Sequence, residues 1–287
     1  REQLIGGMLA NGYDESFAQR IFEQVKGFAD YGFPESHAYS FALLAYESSW
    51  LKCHEPACYL AAMLNSQPMG FYPPSQLIQD AKRHGVQVLP ADVSHSEWDC
   101  TLAEARHGAV RLGLCLVGSL NAAAGARVVA ARQHTPFTDV QDLSLRAALD
   151  VKDLNALAAA DALQSIAGHR RQQVWEAAAR VRAPELLRGA PVLEEALELP
   201  PAPEGEEIVF DYAAMGLTLR RHPLALLRAR LARWGILNAQ QLAPLPHGRT
   251  VSACGIVTVR QQPQTAKGTI FVTLEDETGP VNVIVWK

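Results

Sequence analysis

The chain has 287 residues, 48% of them apolar and 20% charged, enough to bury a sizeable core divided among roughly one to three domains. No uninterrupted apolar run approaches membrane-spanning length, and Arg1-Glu2-Gln3-Leu4 lacks the long apolar core of a secretory signal, so a cytoplasmic chain without a membrane partner is expected. A net charge of −4 argues against a uniformly basic nucleic-acid binder.

The first 65 residues read as helices. Apolar residues recur at helical spacing in Leu4, Ile5, Met8 and Leu9, then in Phe17, Ile21, Phe22 and Val25, with Gly27 as a break. After the turn Tyr31-Gly32-Phe33-Pro34, Ser36 is placed to cap a long helix running to about His54, and Pro56 opens another that ends near Asn65. Prolines between Gln67 and Pro74 predict a turn, followed by a helix over Ser75–His84 that Gly85 terminates. Short strands are expected at Val86–Leu89 and Ala109–Leu114.

From Leu114 to Val181 the pattern is helical again, interrupted by tight turns at Val117-Gly118-Ser119-Leu120 and Ala160-Asp161-Ala162-Leu163. Residues 183–209 are rich in Pro, Glu and Ala without a strong period and read as a linker, with a further helix at Pro223–Trp234. Alternating β-branched residues over Val251–Val259, Thr269–Leu274 and Val281–Trp286 predict strands of an all-β domain that is incomplete within this chain. The fold class is therefore mostly α, with a small mixed α/β piece and a partial C-terminal β-barrel. Charge follows this division. Residues 105–182 hold ten Lys or Arg against six acids, and residues 183–211 hold eight acids against Arg188 alone, so the sign switches sharply near residue 183.

Cys53, Cys58, Cys100, Cys115 and Cys254 are an odd number without a C-x-x-C pair, which reads as reduced structural thiols rather than a disulfide framework. The nine histidines show no zinc-ligand spacing, so no metal or cofactor is expected in this chain.

Three blocks carry a family resemblance. Phe28 to Asn65, with Gly32-Phe33-Pro34-Glu35-Ser36-His37 inside it, closely resembles the fingers segment of bacterial C-family DNA polymerases, and together with Val88-Leu89-Pro90-Ala91-Asp92 it resembles their error-prone branch. Arg111–Arg132 and Asp150–Arg171 resemble the tandem helix-hairpin-helix of those polymerases, and Val251–Trp286 resembles their OB domain. Asp211-Tyr-Ala-Ala-Met-Gly-Leu217 and Arg221-His-Pro-Leu224 match the connecting region. The resemblance implies fingers over 1–74, a mixed subdomain over 75–112, the helix-hairpin-helix domain over 113–182, an acidic linker and helix over 183–245, and a partial OB domain over 246–287.

The implied function is a non-catalytic portion of an error-prone polymerase acting in damage-induced mutagenesis and translesion synthesis. Its implied partners are primer-template DNA, a deoxynucleoside triphosphate and accessory mutagenesis proteins. Ser36, His37 and Tyr39 would face the incoming nucleotide at a helix start whose free N–H groups favour an anion, although capping alone also explains Ser36. Hairpins of this type present backbone N–H groups to successive phosphates, which gives sequence-independent grip. Gly118, Ser119, Arg127 and Arg132 are the expected contacts of the first hairpin. Asp161 is unsuited to a phosphate-binding turn, so the second hairpin is expected to be structural, with His169, Arg170 and Arg171 near DNA. A solvated helix face explains any one of these arginines equally well. Arg260, Lys267 and Phe271 are candidates for single-stranded DNA, with protein docking as the alternative use of the β domain.

Polymerisation needs two metal ions held by acidic residues. No Asp-x-Asp occurs in the chain, so catalysis, with its Mg2+, is expected to belong to a palm domain elsewhere in a longer protein. The competing reading is a free-standing DNA-binding adaptor, which would have no use for a fingers block.

Overall fold

The computed structural model describes residues 1–30, 35–70, 72–103, 108–179, 197–266 and 268–286, and within these all side chains except those of residues 28–30, 35, 36 and 266. The chain divides into two compact units, Arg1–Glu55 and Pro56–Lys287.

The first unit is helical: α1 (Glu2–Ala10), α2 (Glu15–Asp30) and α3 (Glu35–His54). Asp14 caps α2, its carboxylate accepting from the amides of Ser16 at 3.0 Å and Phe17 at 3.3 Å. Ala18 is the one buried residue among those described in this unit, and Leu4, Phe17, Val25, Phe41, Leu44 and Trp50 are all exposed.

The second unit holds the core. Helix α4 (Pro56–Asn65) starts on its proline as expected and buries Leu60 and Leu64; α5 (Pro74–Arg83) buries Ile78. Beside them lies a small sheet ordered β1-β3-β2, in which β1 (Gln87–Leu89) runs parallel to β3 (Ala109–Arg111) and β2 (Thr101–Leu102) runs antiparallel to it. Asn65 ties α4 to this layer, exchanging hydrogen bonds with the Cys100 carbonyl at 2.9 Å and amide at 2.7 Å.

A 3-10 turn at Leu114–Leu116 leads into α6 (Ala122–Arg132), α7 (Val140–Arg146), α8 (Val151–Ala159), α9 (Gln164–Ala167) and α10 (Arg170–Ala178). Side chains cap the starts of α6, α7 and α8. Asn121, Asp139 and Asp150 each accept from the amide three residues on at 2.8 Å, satisfying donors the helix cannot. Leu114, Leu143, Leu149, Leu154, Leu157 and Leu163 are fully buried and join these helices to α4, α5 and the small sheet in one cluster.

The expected linker of residues 183–209 is corrected at its end. Residues 180–196 lie outside the described residues, but Glu204–Met215 forms a helix, α11, that buries Glu207 and Ile208. Glu204, Glu206 and Glu207 occupy its first turn, where carboxylates favour the helix dipole. Their charge, which reads as linker composition, is a helix-start signal.

Helix α12 (Pro223–Arg233) is followed by β4 (Ile236–Leu237), α13 (Ala239–Leu242), β5 (Ser252–Ala253), β6 (Ile256–Gln261), β7 (Ile270–Asp276) and β8 (Gly279–Val285). β6, β7 and β8 make an antiparallel three-stranded sheet with an irregularity between Val257 and Val259, and β4 pairs with β5. The expected partial β-barrel is represented among the described residues by these two sheets, three-stranded and two-stranded.

Arg228 fastens the β7–β8 turn to α12, bonding both carboxylate oxygens of Glu277, while Asp276 accepts from the Ala239 and Thr278 amides at 2.7 Å each. The Arg228 contact holds the Glu277 carboxyl below its ordinary range. For Asp276, burial opposes ionisation, but the Thr278 hydroxyl and the surrounding amides outweigh it and lower the pKa. Depressed folded values mean that this stability is present above the unfolded carboxylate pKa, about 4, and is lost as pH falls through the folded values. Acidification below roughly pH 4 is therefore expected to release the β6–β8 sheet, read as loss of amide-exchange protection across Ile270–Asp276 while Leu154–Leu157 stays protected.

Candidate nucleic-acid interface

In the first hairpin the backbone turns over at Ser119, whose φ of +67° lies in the left-handed region. Val117 and Leu120 are buried on either side and hold Gly118 and Ser119 at the surface. Beyond the turn, the Asn121 side chain caps Ala124, so the first amides of α6, at exposed Ala122 and Ala123, have no partner within the helix.

Gly118 departs from expectation. Its amide donates to the Ala214 carbonyl of α11 at 3.0 Å, and a Cβ there would stand 2.5 Å from that same oxygen. The glycine admits a helix of its own chain, and its N–H is not free for a phosphate.

The two arginines of this hairpin are also engaged. Arg127 donates to the carbonyls of Ala147 at 2.8 Å and Ala148 at 3.3 Å and lies 3.4 Å from Asp153. Arg132, 12% exposed, donates to the Val93 and Ser96 carbonyls and to Glu97. Both join α6 to its neighbours, so both guanidinium groups already have partners within the protein.

The second hairpin turns at Asp161, with φ +59°. Its carboxylate accepts from Gln173 at 2.6 Å and from Arg220 at 2.8 Å. Burial pushes its pKa up against the pull of Arg170 and Arg220. Arg170 is 3% exposed; it bonds the Glu207 carboxylate at 2.7 Å, the Glu207 carbonyl at 2.9 Å and the Asp211 carboxylate. Arg171 pairs with Glu206 at 2.9 Å, and His169 caps α10 through Nδ1 while Nε2 donates to the Leu199 carbonyl at 2.7 Å. The partner these three residues meet is α11 and the segment before it. Three acids of the second stretch, Glu206, Glu207 and Asp211, thus pair with bases of the first.

Lys152 is a cation that sequence reasoning missed. It is exposed on the first turn of α8, and among the described residues no carboxylate pairs with it. It shares a shallow depression with Gly118, Ser119, Asn155, Ala213 and Ala214. Its signal in the sequence was its place two residues after the capping Asp150, beside the helix start.

The remaining candidates fall elsewhere. The Ser36 side chain and Lys267 lie outside the described residues, and His37 and Tyr39 are exposed on α3, with the His37 ring 4.5 Å edge-on from Phe41. In the β sheet Arg260 pairs across from Val272 and Phe271 from Gln261. Neighbouring pairs point to opposite faces, so Arg260 and Phe271 do not share a single-strand platform. Among the described residues no group of three or more His, Cys, Asp or Glu is arranged to hold a metal ion, and no helix is long and apolar enough to cross a membrane.

Residues 85–173 match the family described as a helix-hairpin-helix motif. Over 99% of its length the chain is 57% identical to an error-prone DNA polymerase of Bordetella parapertussis. It is 52% identical to the protein of that name from Alkalilimnicola ehrlichii and 51% identical to that from Methylococcus capsulatus. The chain is kin to one segment of the error-prone DNA polymerases. It spans 28–29% of the length of these relatives. Within the chain the two hairpins and α11 form one hydrogen-bonded block.

Proposed function

We propose that this chain is a duplex-holding, non-catalytic portion of an error-prone DNA-directed DNA polymerase that acts in damage-induced translesion synthesis. The observation that carries the reading is identity above 50% along the whole chain to proteins named error-prone DNA polymerase, with the helix-hairpin-helix match at its centre. The surface best suited to a phosphate is the exposed Ser119 turn, with Lys152 in the same depression and the first amides of α6 following the turn in sequence. Amides at a helix start with one cation nearby hold a backbone phosphate without reading a base.

His37 and Tyr39, with Ser36, would face an incoming nucleotide from the start of α3, and accessory mutagenesis proteins would be further partners. Mg2+ is proposed for the longer polymerase, with the acidic residues that would hold it. Protein docking remains the alternative use of the β sheet, whose Arg260 and Phe271 fall on opposite faces.

Binding of the purified chain to a primer-template duplex tests this reading. The expected result is affinity that falls linearly in log–log form with salt, about 0.9 unit of slope per phosphate neutralised, and no primer extension. Salt-independent binding, or extension by the chain alone, would overturn it.

A further inference from the structure

Two of the five cysteines are brought together on paired backbone. The Leu114 amide donates to the Glu97 carbonyl and the Cys115 amide to the Trp98 carbonyl, each at 2.9 Å, so the 3-10 turn before the first hairpin runs against residues 97–100. Gly113 makes the approach possible, since a Cβ there would run into the backbone of Trp98 and Asp99. At this junction the Cys100 and Cys115 side chains adjoin, and the Gly113 amide donates to Cys100 Sγ at 3.3 Å. Cys100 is 3% exposed and Cys115 is partly open to solvent.

We propose that Cys100 and Cys115 form a peroxide-sensitive dithiol that closes to a disulfide, bracing the approach to the first hairpin. The reaction needs one hydroperoxide. Cys100, as thiolate, attacks one peroxide oxygen; the O–O bond breaks, and the departing hydroxide leaves as water with the thiol proton. The Cys115 sulfur then displaces the hydroxyl of the resulting sulfenic acid, which departs as a second water with the Cys115 proton. Two thiols lose two electrons and the peroxide gains them.

The polarity of the pair suits this order. The adjoining Cys115, with the hydrogen bond from Gly113, holds the Cys100 thiol low, and the same pairing pushes Cys115 up. Exposed Cys53 and Cys58 serve as internal references for simple accessibility.

The test is to treat the purified chain with hydrogen peroxide, alkylate free thiols under denaturing conditions, digest, and identify linked peptides by mass spectrometry. A Cys100–Cys115 peptide, lost again on reduction, is expected while Cys53 and Cys58 still alkylate. Oxidation of Cys53 and Cys58 with no Cys100–Cys115 link would overturn the proposal. In Cys115→Ser the sulfenic acid should persist on Cys100 and be trapped by dimedone; a Cys100 that stays fully reduced there would overturn its assignment as the attacking sulfur.

Discussion

Replacing Arg170 by alanine is expected to lower unfolding stability by about 3 kcal/mol, the lower end of the range for breaking a buried ion pair. The charge is 3% exposed, and its removal leaves Glu207 and Asp211, 8% and 13% exposed, without their main partner. Arg220 stays at 3.0 Å from Glu207 and 3.4 Å from Asp211, which is why the loss stops short of the full penalty. Arg170→Lys should not restore stability, because one ammonium cannot reproduce a guanidinium that bonds two carboxylates and a carbonyl at once. Urea denaturation followed by circular dichroism reads the effect. A loss under about 1 kcal/mol would mean a solvated pair, and the docking of α11 would then have to rest on apolar contact.

Gly113→Ala is the second large effect, expected to cost about 2 kcal/mol through overpacking. Gly113 has φ −78° and ψ 159°, a conformation alanine adopts freely, so no backbone strain contributes. The cost comes from the added methyl, which would overlap the Trp98 oxygen and the Asp99 carbonyl group, both main-chain atoms. Making room would break the paired hydrogen bonds of Leu114 and Cys115 to residues 97 and 98. The midpoint of thermal or urea unfolding checks this, and an unchanged midpoint would show that the loop yields freely.

Both substitutions bear on features that were unequally legible in the sequence. The hairpin turns were readable because apolar spacing stops at Val117–Leu120 and Ala160–Leu163, and the start of α4 because proline suits a first helical turn. The left-handed turn residues, Ser119 and Asp161, fall inside those turns.

The fate of the arginines was not readable. Arg132 meets Glu97 across 35 residues and Arg170 meets Asp211 across 41, and nothing local in a sequence separates a cation awaiting a phosphate from one already paired. Helix α11 was hidden for the same reason. Its acids suggest solvent, and only Arg170 and Arg220 explain why Glu207 is buried. A better local cue existed in Pro203 ahead of Glu204, Glu206 and Glu207, since proline at the boundary and acids in the first turn mark a helix start. What distinguishes Lys152 from the arginines is exposure, with no carboxylate pairing with it among the described residues.

Duplex affinity of a Lys152→Glu variant, measured against salt beside the parent chain, bears most directly on the proposed grip. With the fold intact by circular dichroism, the expected result is binding weakened about tenfold at moderate salt and a salt slope smaller by about one phosphate contact. Unchanged affinity and unchanged slope would contradict it, and would move the DNA away from the depression that Ser119 and Lys152 share.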